Sequence, residues 1–350
     1  MIHKGTITLK TERLTLRSFA ASDAEQMFNN WASDDEVTRY MRWETHKAVE
    51  DSSFVLDIWL KEYESGEYYN WAMSLENGEL IGSIGFVEIN KTDSRAEIGY
   101  CIGRKYWGNG YATEAAKAVI KFMFEEVGLN RIEAFHSISN PASGKVLNKA
   151  GMALEGTAKQ KCYSREGFQD CDMYGITHEE WEVAKEIEHY NSLPVIFRGF
   201  VDTSGISNGE IELKCLTTHE ADPVKKWVPA YSFEICKRGE KVGQISLRLG
   251  YTESLYYGGQ IGYIIDEAHR GNGYAAEACK LLIPIMKAHG MEKVLITTDP
   301  NNAASKRVCE KLGARFIRTA RLPKWHDLYI HGGMIDKIPR KYSDVYEWMF

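Results

Sequence analysis

The sequence contains no CxxC pair, no long apolar run and no excess of basic residues. Its seven cysteines are odd in number and scattered, a pattern that suits reduced thiols better than a disulfide framework or a zinc site. No apolar run approaches the roughly 20 residues of a membrane helix. The first residues, MIHKGTITLKTERL, lack the apolar segment of a secretory signal. We therefore expect a cytoplasmic protein with no membrane segment and no metal site.

Charge, composition and length limit the partners and the number of domains. The formal net charge of −6 argues against nucleic acid as the main ligand, since phosphate binding needs concentrated lysine and arginine. It weakly favours a cationic partner such as an amine. With 44% hydrophobic and 26% charged residues, the composition is ordinary for a globular protein. A length of 350 residues fits two domains of about 150 residues each.

An internal repeat organises the chain. Residues 97–117 (EIGYCIGRKYWGNGYATEAAK) and 260–280 (QIGYIIDEAHRGNGYAAEACK) align without a gap and are identical at 12 of 21 positions. Downstream, residues 140–151 (NPASGKVLNKAG) match 302–313 (NAASKRVCEKLG). A period of about 163 residues is the size of a domain, so the repeat indicates duplication rather than a solenoid. The predicted domains are residues 1–194 and 195–350.

The segments around the two blocks predict the same order of elements in each copy. Runs typical of strands precede each block, at residues 13–19, 70–76 and 80–89 and at 210–216, 231–236 and 241–250. Apolar residues at three- and four-residue spacing then predict a helix directly after each glycine pair. A further strand, a short helix and a closing strand complete each copy, which indicates an α/β fold of the α+β kind.

Each block carries a glycine pair between a predicted strand and a predicted helix. Glycines there allow a tight bend and close approach to a ligand, and the helix directs unpaired N–H groups at it, as a pyrophosphate site requires. A nucleotide P-loop would need Gly-Lys-Ser/Thr, which neither copy has. A dinucleotide fingerprint would need a third glycine, where this chain has Thr113 and Ala276. A plain turn without a ligand is the remaining alternative.

The pattern GYxI…GNGYAxEA, followed by NxxS, resembles the acetyl-CoA-binding core of the GNAT superfamily of N-acetyltransferases. The first copy, with TERLTLR, YWGNGYATEA, NPASGKVLNKAGM and a terminal YG…EEW, is similar to the RimJ/RimL group over residues 8–182. The second resembles the superfamily more distantly, over residues 240–320. The resemblance implies two domains, each with a mixed, mostly antiparallel sheet flanked by helices and splayed before its glycine loop.

The resemblance also implies where acetyl-CoA, the acyl donor, binds. The strand before each loop bonds the pantetheine arm, the loop amides hold the pyrophosphate, and an Asn/Ser pair lies beside the cofactor. The residues so implied are Cys101, Ile102, Gly103, Lys105, Gly108, Asn109, Gly110, Tyr111, Ala112, Asn140 and Ser143 in the first copy, and Ile264, Ile265, Arg270, Gly271, Asn272, Gly273, Tyr274, Ala275, Asn302 and Ser305 in the second. Where the superfamily has Gln or Arg, the copies have Lys105 and Ala268, which weakens the case for the second site.

Acetyl transfer to an amine needs a proton acceptor for the amine and a proton donor for the leaving thiolate. Glu97 is the first candidate for the base, because it lies on the strand that leads to the loop; a solvated strand carboxylate is the alternative. Its counterpart Gln260 cannot accept a proton. Many relatives place a tyrosine donor on the helix after the asparagine, where this chain has Leu147 and Cys309. Ser143, or water, is then the candidate for the acid.

Glu133 and His136, on the next predicted strand, are weaker candidates for a role in the chemistry. Glu133 shares one face of the strand with Phe135, and His136 lies on the other, so each is judged separately; a satisfied or solvated polar side chain is the alternative for both.

These residues predict an acetyl-CoA-dependent N-acetyltransferase that transfers an acetyl group directly to a primary amine, of a protein N-terminus or of a small molecule. Two alternatives stay open: a non-catalytic module that senses acyl-CoA, and activity that resides only in the C-terminal domain. The sequence does not select the acceptor or the oligomeric state.

Overall fold

The computed structural model describes residues 1–332 and 338–350, and the chain divides into two compact units. Unit 1 comprises Met1–Ala184 and unit 2 comprises Lys185–Phe350. The division falls inside a helix, His178–Asn191, whereas the repeat places its boundary after residue 194.

Unit 1 is built on one mixed sheet. Its strands are β1 (Leu9–Lys10), β2 (Leu14–Arg17), β3 (Asn70–Leu75), β4 (Leu80–Asn90), β5 (Arg95–Ile102), β6 (Arg131–Ser137), β7 (Ala153–Ser164) and β8 (Gly167–Thr177). They lie in the order β1-β2-β3-β4-β5-β6-β8-β7. The pairing of β5 with β6 is parallel, and the other described pairings in this sheet are antiparallel.

Helices cover both faces of this sheet. They are α1 (Ala24–Met27), α2 (Asp35–Thr38), α3 (Val49–Tyr63), α4 (Tyr111–Phe122), α5 (Pro141–Lys149) and α6 (His178–Asn191). In α4, Ala115, Ala116, Val119 and Ile120 recur at one- to four-residue spacing and are all buried. This spacing places them on one stripe of the helix, which packs against the sheet.

Strand β5 separates the two cores of unit 1. Its residues Ala96 and Ile98 belong to the core on the side of α4, together with Val119. Cys101 belongs to the other core, which includes Trp31 and Leu56 from the helical segment that precedes β3. Because successive strand residues face opposite sides of a sheet, Glu97 lies on the same face as Cys101.

Strands β5 and β6 pair over a short stretch and then separate. The pairs are Arg95 with Arg131, Ala96 with Ile132, and Glu97 with Glu133. Beyond Glu97 the described part of the chain shows no further pairing between these two strands, so from there to its end β5 is paired only with β4 and is open on the side toward β6. The predicted splay before the glycine loop is confirmed, and Glu97 occupies its apex.

Unit 2 repeats this arrangement, but its two corresponding strands belong to separate sheets. Its strands are β9 (Glu212–His219), β10 (Ala230–Lys237), β11 (Glu240–Arg248), β12 (Ile261–Ile265), β13 (Lys293–Thr298), β14 (Arg315–Arg321) and β15 (Tyr342–Met349). Its helices are α7 (Glu253–Gly258), α8 (Tyr274–Leu281), α9 (Ile283–Ala288), α10 (Ala303–Leu312) and α11 (Asp327–Ile330). The strands form two sheets, in the orders β12-β11-β10-β9 and β13-β15-β14.

The two units differ in the segment that follows their opening strands. In unit 1, α1, α2 and α3 lie between β2 and β3. In unit 2, only residues 220–229 separate β9 from β10, and this described stretch contains no helix. The prediction of mixed, mostly antiparallel sheets flanked by helices is confirmed.

Candidate functional site

The glycine loop of unit 1 opens the first turn of α4 toward a ligand. Gly108 and Gly110 have φ of 77° and 83°, a left-handed conformation that side chains disfavour. Gly110 is the N-cap of α4, and no side chain caps the helix there. The N–H groups of the first turn and the positive end of the helix dipole are therefore available to an anion.

Two side chains hold this loop in shape. The Asn109 amide donates to the carbonyls of Tyr106 and Trp107, both at 3.1 Å. The Trp107 indole N–H donates to the carbonyl of Ile102 at the end of β5 (2.8 Å). Asn109 therefore stabilises the loop from within, and its backbone N–H remains free to bind a phosphate.

The loop of unit 2 has the same construction. Gly271 and Gly273 have φ of 85° and 84°, and Gly273 is the N-cap of α8 without a side-chain cap. The Asn272 amide donates to the carbonyl of His269 (3.0 Å). Arg270 replaces Trp107 and donates from Nε to the carbonyl of Ile265 (3.2 Å). Two loops 163 residues apart thus present the same anion-binding backbone.

Basic side chains lie near each loop, and sequence reasoning missed the most direct one. Arg13 donates from Nη1 to the carbonyl of Asn109 (2.9 Å) and forms an ion pair with Glu114 (2.6 Å). The TERLTLR opening of the first copy was the only signal for it. Lys105 is 74% exposed and donates to Glu79 (2.9 Å). Its contact with phosphate stays a prediction.

Ser143, on α5, is bonded to a tyrosine of β5. The Tyr100 hydroxyl donates to the Ser143 carbonyl (2.9 Å) and lies 2.7 Å from Ser143 Oγ. Burial raises the pKa of Tyr100, so its proton is retained. Unit 2 contains the same pair, with Tyr263 and Ser305 hydroxyls 2.8 Å apart. Both tyrosines belong to the repeated GY pair, which could have identified this contact from the sequence.

The asparagines at the starts of α5 and α10 occupy equivalent N-cap positions. In unit 2 the side-chain oxygen Oδ1 of Asn302 accepts a hydrogen bond from the backbone N–H of Ser305 (3.0 Å). The Asn140 side chain forms no such cap. Asn140 is therefore the freer of the two to contact a ligand beside Ser143.

His136 and Tyr174 form a small buried cluster against α5. His136 Nδ1 lies 2.7 Å from the carbonyl of Ser137, while Nε2 is buried without a hydrogen-bond partner. A Cβ placed on Gly144 would overlap His136 Nε2 and would lie 2.9 Å from the Tyr174 hydroxyl. The helix approaches the sheet this closely because residue 144 has no side chain.

Glu97 is a half-buried carboxylate to which no described residue donates a hydrogen bond. Burial raises its pKa, and the negative charges of Glu88 and Glu133 act in the same direction, against opposing contributions from Lys161 and Arg42. An unpaired carboxylate with a raised pKa at the apex of the cleft has the properties of a general base.

Glu133, which pairs with Glu97 across the two strands, has a different environment. It forms ion pairs with Arg95 and Arg131, each at 2.8 Å. Burial opposes ionisation of Glu133, but the hydrogen bonds from the two arginines outweigh it and hold the pKa below its usual value. Glu133 is therefore a fixed anion in an ion-pair network and a poor proton acceptor.

The counterpart of Glu97 in unit 2 has a structural role. Gln260 is fully buried, and its amide N–H donates to the carbonyl of Gly250 (3.0 Å). Its amide oxygen accepts from the backbone N–H of Leu295 (2.6 Å). Gln260 thus joins the two sheets of unit 2 at the apex.

The residues at the position of a helical tyrosine donor are in the core. Leu147 and Cys309 are both buried, and burial raises the pKa of the Cys309 thiol to about 12. A buried thiol that keeps its proton is suited to packing rather than to nucleophilic attack. In the part of the chain that the structure describes, no cluster of side chains suits a metal ion, and no helix is long and apolar enough to cross a membrane.

Comparison with known proteins identifies the class to which this fold and these loops belong. The acetyltransferase (GNAT) domain family matches residues 13–153 and 213–315. The chain therefore belongs to the GNAT acetyltransferases and contains this domain twice, as the repeat predicted. It is an acetyl-CoA-dependent N-acetyltransferase by family, and acetyl-CoA is the acyl donor.

Individual relatives match about half of the chain or less. An uncharacterized N-acetyltransferase of Bacillus subtilis, YoaA, is 36% identical over 169 residues, which cover 48% of this chain and 95% of the relative. An uncharacterized N-acetyltransferase of Bacillus licheniformis is 34% identical over 175 residues, or 50% of this chain and 98% of the relative. A ribosomal-protein-serine acetyltransferase of Escherichia coli is 31% identical over 107 residues, or 31% of this chain and 60% of the relative.

Proposed function

We propose that unit 1 transfers the acetyl group of acetyl-CoA directly to a primary amine, and that unit 2 binds acyl-CoA without transferring it. The observation that supports this assignment is the difference between the two residues at the apex of the splayed strands. Glu97 is unpaired and desolvated there, whereas Gln260 is buried and bonded on both sides of its amide. Both units keep the glycine loop, so we assign cofactor binding to both and chemistry to one.

The contacts proposed for acetyl-CoA in unit 1 follow the unpaired backbone. We assign the pantetheine arm to the side of the end of β5, around Cys101, Ile102 and Gly103, that β6 leaves open; the Gly103 N–H already donates to the Ile81 carbonyl and the Ile102 carbonyl accepts from the Trp107 indole, so these two groups are not counted among the contacts. The amides from Gly108 to Ala112 receive the pyrophosphate, because glycine conformations and an uncapped helix expose them.

The proposed proton transfers use residues already placed at the cleft. Glu97 accepts the proton that the amine loses as its nitrogen forms the new bond to the acetyl carbon. The carbon–sulfur bond breaks, and the departing thiolate takes a proton from the Ser143 hydroxyl, which lies 2.7 Å from the Tyr100 hydroxyl; Ser143 then regains a proton from water, and Glu97 returns its proton to water. Holding the reactants together supplies much of the acceleration, so no acyl-enzyme is needed.

The proposed acceptor is a primary amine of a protein N-terminus or of a small molecule. The name of the Escherichia coli relative, ribosomal-protein-serine acetyltransferase, supports a protein amine as the first acceptor to test. We propose in addition that the protein is cytoplasmic.

Replacement of the proposed base tests the assignment. Glu97→Gln keeps the size of the side chain and removes proton acceptance, so kcat should fall by about a hundredfold or more while the Kd for acetyl-CoA stays within about twofold. Thiol release with a panel of amines measures turnover, and calorimetry measures binding. Glu88→Gln is the matched control. Glu88 lies opposite Glu97 on β4, so this substitution removes a nearby charge and leaves the proposed base in place.

The opposite assignment makes a different prediction. If Gly271→Val abolished turnover in a folded protein while Glu97→Gln did not, unit 2 would be the enzyme. If the wild-type protein bound acetyl-CoA but acetylated none of the amines, a sensing module would replace the transferase proposal.

A further inference from the structure

Arg248 is the last residue of β11 and lies at the apex of unit 2. Acetyl transfer requires no cation at this position. The Arg248 backbone N–H donates to the carbonyl of Gln260 (2.9 Å), so Arg248 lies beside the apex residue. Its neighbours Leu247 and Leu249 are buried in the core of unit 2. Alternation along the strand therefore directs Arg248 to the opposite face of the sheet.

The Arg248 guanidinium has no counter-charge among the described residues. Its Nη1 donates to the carbonyl of Gly259 at 3.3 Å, and none of the described carboxylates forms an ion pair with it. The side chain is only partly exposed, and burial lowers the pKa of Arg248. A desolvated guanidinium without a carboxylate partner destabilises the fold. Such a residue is a candidate for binding an anionic ligand.

A hydroxyl lies beside the guanidinium on the same face of the sheet. Gly262 has no side chain, and a Cβ there would lie 3.2 Å from Ser246 Oγ and 3.5 and 3.7 Å from the terminal nitrogens of Arg248. The Ser246 hydroxyl, which donates to the Gly262 carbonyl (3.3 Å), and the guanidinium therefore lie within reach of the same point above Gly262. A carboxylate can accept two parallel hydrogen bonds from a guanidinium and a third from a hydroxyl.

The same place in unit 1 carries the opposite charge. Leu247 lies opposite Ile261 as Phe86 lies opposite Ile98, so the two sheets correspond in register. The next pair in unit 1 is Glu88 with Glu97. Replacement of the base Glu97 by the neutral Gln260 would by itself explain a loss of activity. Unit 2 has in addition a cation, Arg248, beside that position. The apex of unit 2 is thus suited to a different ligand group.

We propose that Arg248 and Ser246 form a carboxylate-binding site at the apex of unit 2. The carboxylate can belong to an acyl group carried by a coenzyme A thioester or to a free acid. The first source rests on the proposed binding of acyl-CoA by unit 2. Five residues of β12 span about 17 Å between the apex and the loop, a length that the pantetheine arm can cover.

The test uses the full chain with Gly108→Val and Gly110→Val, so that the loop of unit 1 is disabled. Calorimetry compares succinyl-CoA, acetyl-CoA and free succinate. We expect succinyl-CoA to bind at least tenfold more tightly than acetyl-CoA, or succinate to bind by itself. Arg248→Gln should remove this gain and leave the Kd for acetyl-CoA within twofold. Lys241→Gln, at the other end of the same strand, should keep the gain.

Each outcome bears on the carboxylate site and on the cofactor proposal separately. Equal binding of the two thioesters together with no binding of succinate, or a gain that survives Arg248→Gln, overturns the carboxylate site. Succinate binding through Arg248 without binding of either thioester supports the site and refutes acyl-CoA binding by unit 2. No binding of any probe refutes both. Arg248→Met should melt no lower than the parent without ligand, because it removes an unpaired charge; a large fall would show a structural role and contradict the proposal.

Discussion

Substitution of Gly144 by alanine gives a quantitative test of how closely α5 packs on the sheet. The new methyl group would overlap His136 Nε2 and contact the Tyr174 hydroxyl. Overpacking of this kind costs about 1–3 kcal/mol, while the change from glycine to alanine inside a helix returns up to about 1 kcal/mol. The net loss should be about 1 kcal/mol. Unit 2 supports this reasoning, because it has Lys306 at the position of Gly144 and the smaller Thr298 at that of His136.

The double variant isolates the contact. In a His136→Thr background the overlap with the imidazole is absent and only the Tyr174 hydroxyl stays close, so Gly144→Ala should cost clearly less than in the parent, with a coupling of about 1–3 kcal/mol. Native-state hydrogen exchange of β6 and α5, followed by mass spectrometry, measures local unfolding without assuming that both units unfold together. A coupling below about 0.5 kcal/mol would refute the proposed clash.

Four further predictions concern the cofactor and the base. Gly108→Val with Gly110→Val should weaken acetyl-CoA binding to unit 1 at least tenfold by calorimetry, since several amide bonds to phosphate are lost; unchanged affinity with the second loop also disabled would contradict the loop assignment. Gly271→Val should leave turnover largely intact in the thiol-release assay. Because the pKa of Glu97 is raised, the acid limb of the kcat/KM profile should lie at a higher pH than an ordinary glutamate would give, as a pH titration of turnover measures. The same raised pKa means that the ionised form destabilises the fold, so Glu97→Gln should stabilise unit 1 at neutral pH, and this gain should vanish as the pH falls below the pKa of the unfolded chain.

The sequence predicted those features whose cause is local. Two glycines before an amphipathic helix determine a left-handed loop and an uncapped helix start, and both were found at Gly108 to Tyr111. The strands before the loops follow from their apolar residues and turns. The contacts of Tyr100 with Ser143 and of Arg13 with Asn109 join residues 43 and 96 positions apart. Such contacts depend on how elements pack, which periodicity and spacing do not determine; only the recurrence of the tyrosine and the serine in both copies pointed to the first of them.

The apex residue cannot serve both the closure of the sheet and proton transfer. In unit 1, backbone pairing from Arg95 to Glu97 joins β5 to β6, so the Glu97 side chain is not needed for closure. In unit 2 the two sheets share no such ladder; the Gln260 backbone N–H donates to the Leu295 carbonyl (2.9 Å), and its side-chain amide adds two bonds by donating to the Gly250 carbonyl and accepting from the Leu295 N–H. A carboxylate can accept but cannot donate when ionised, so it could not make both bonds. The loss of the base in unit 2 is therefore a consequence of how that unit is held together at its apex.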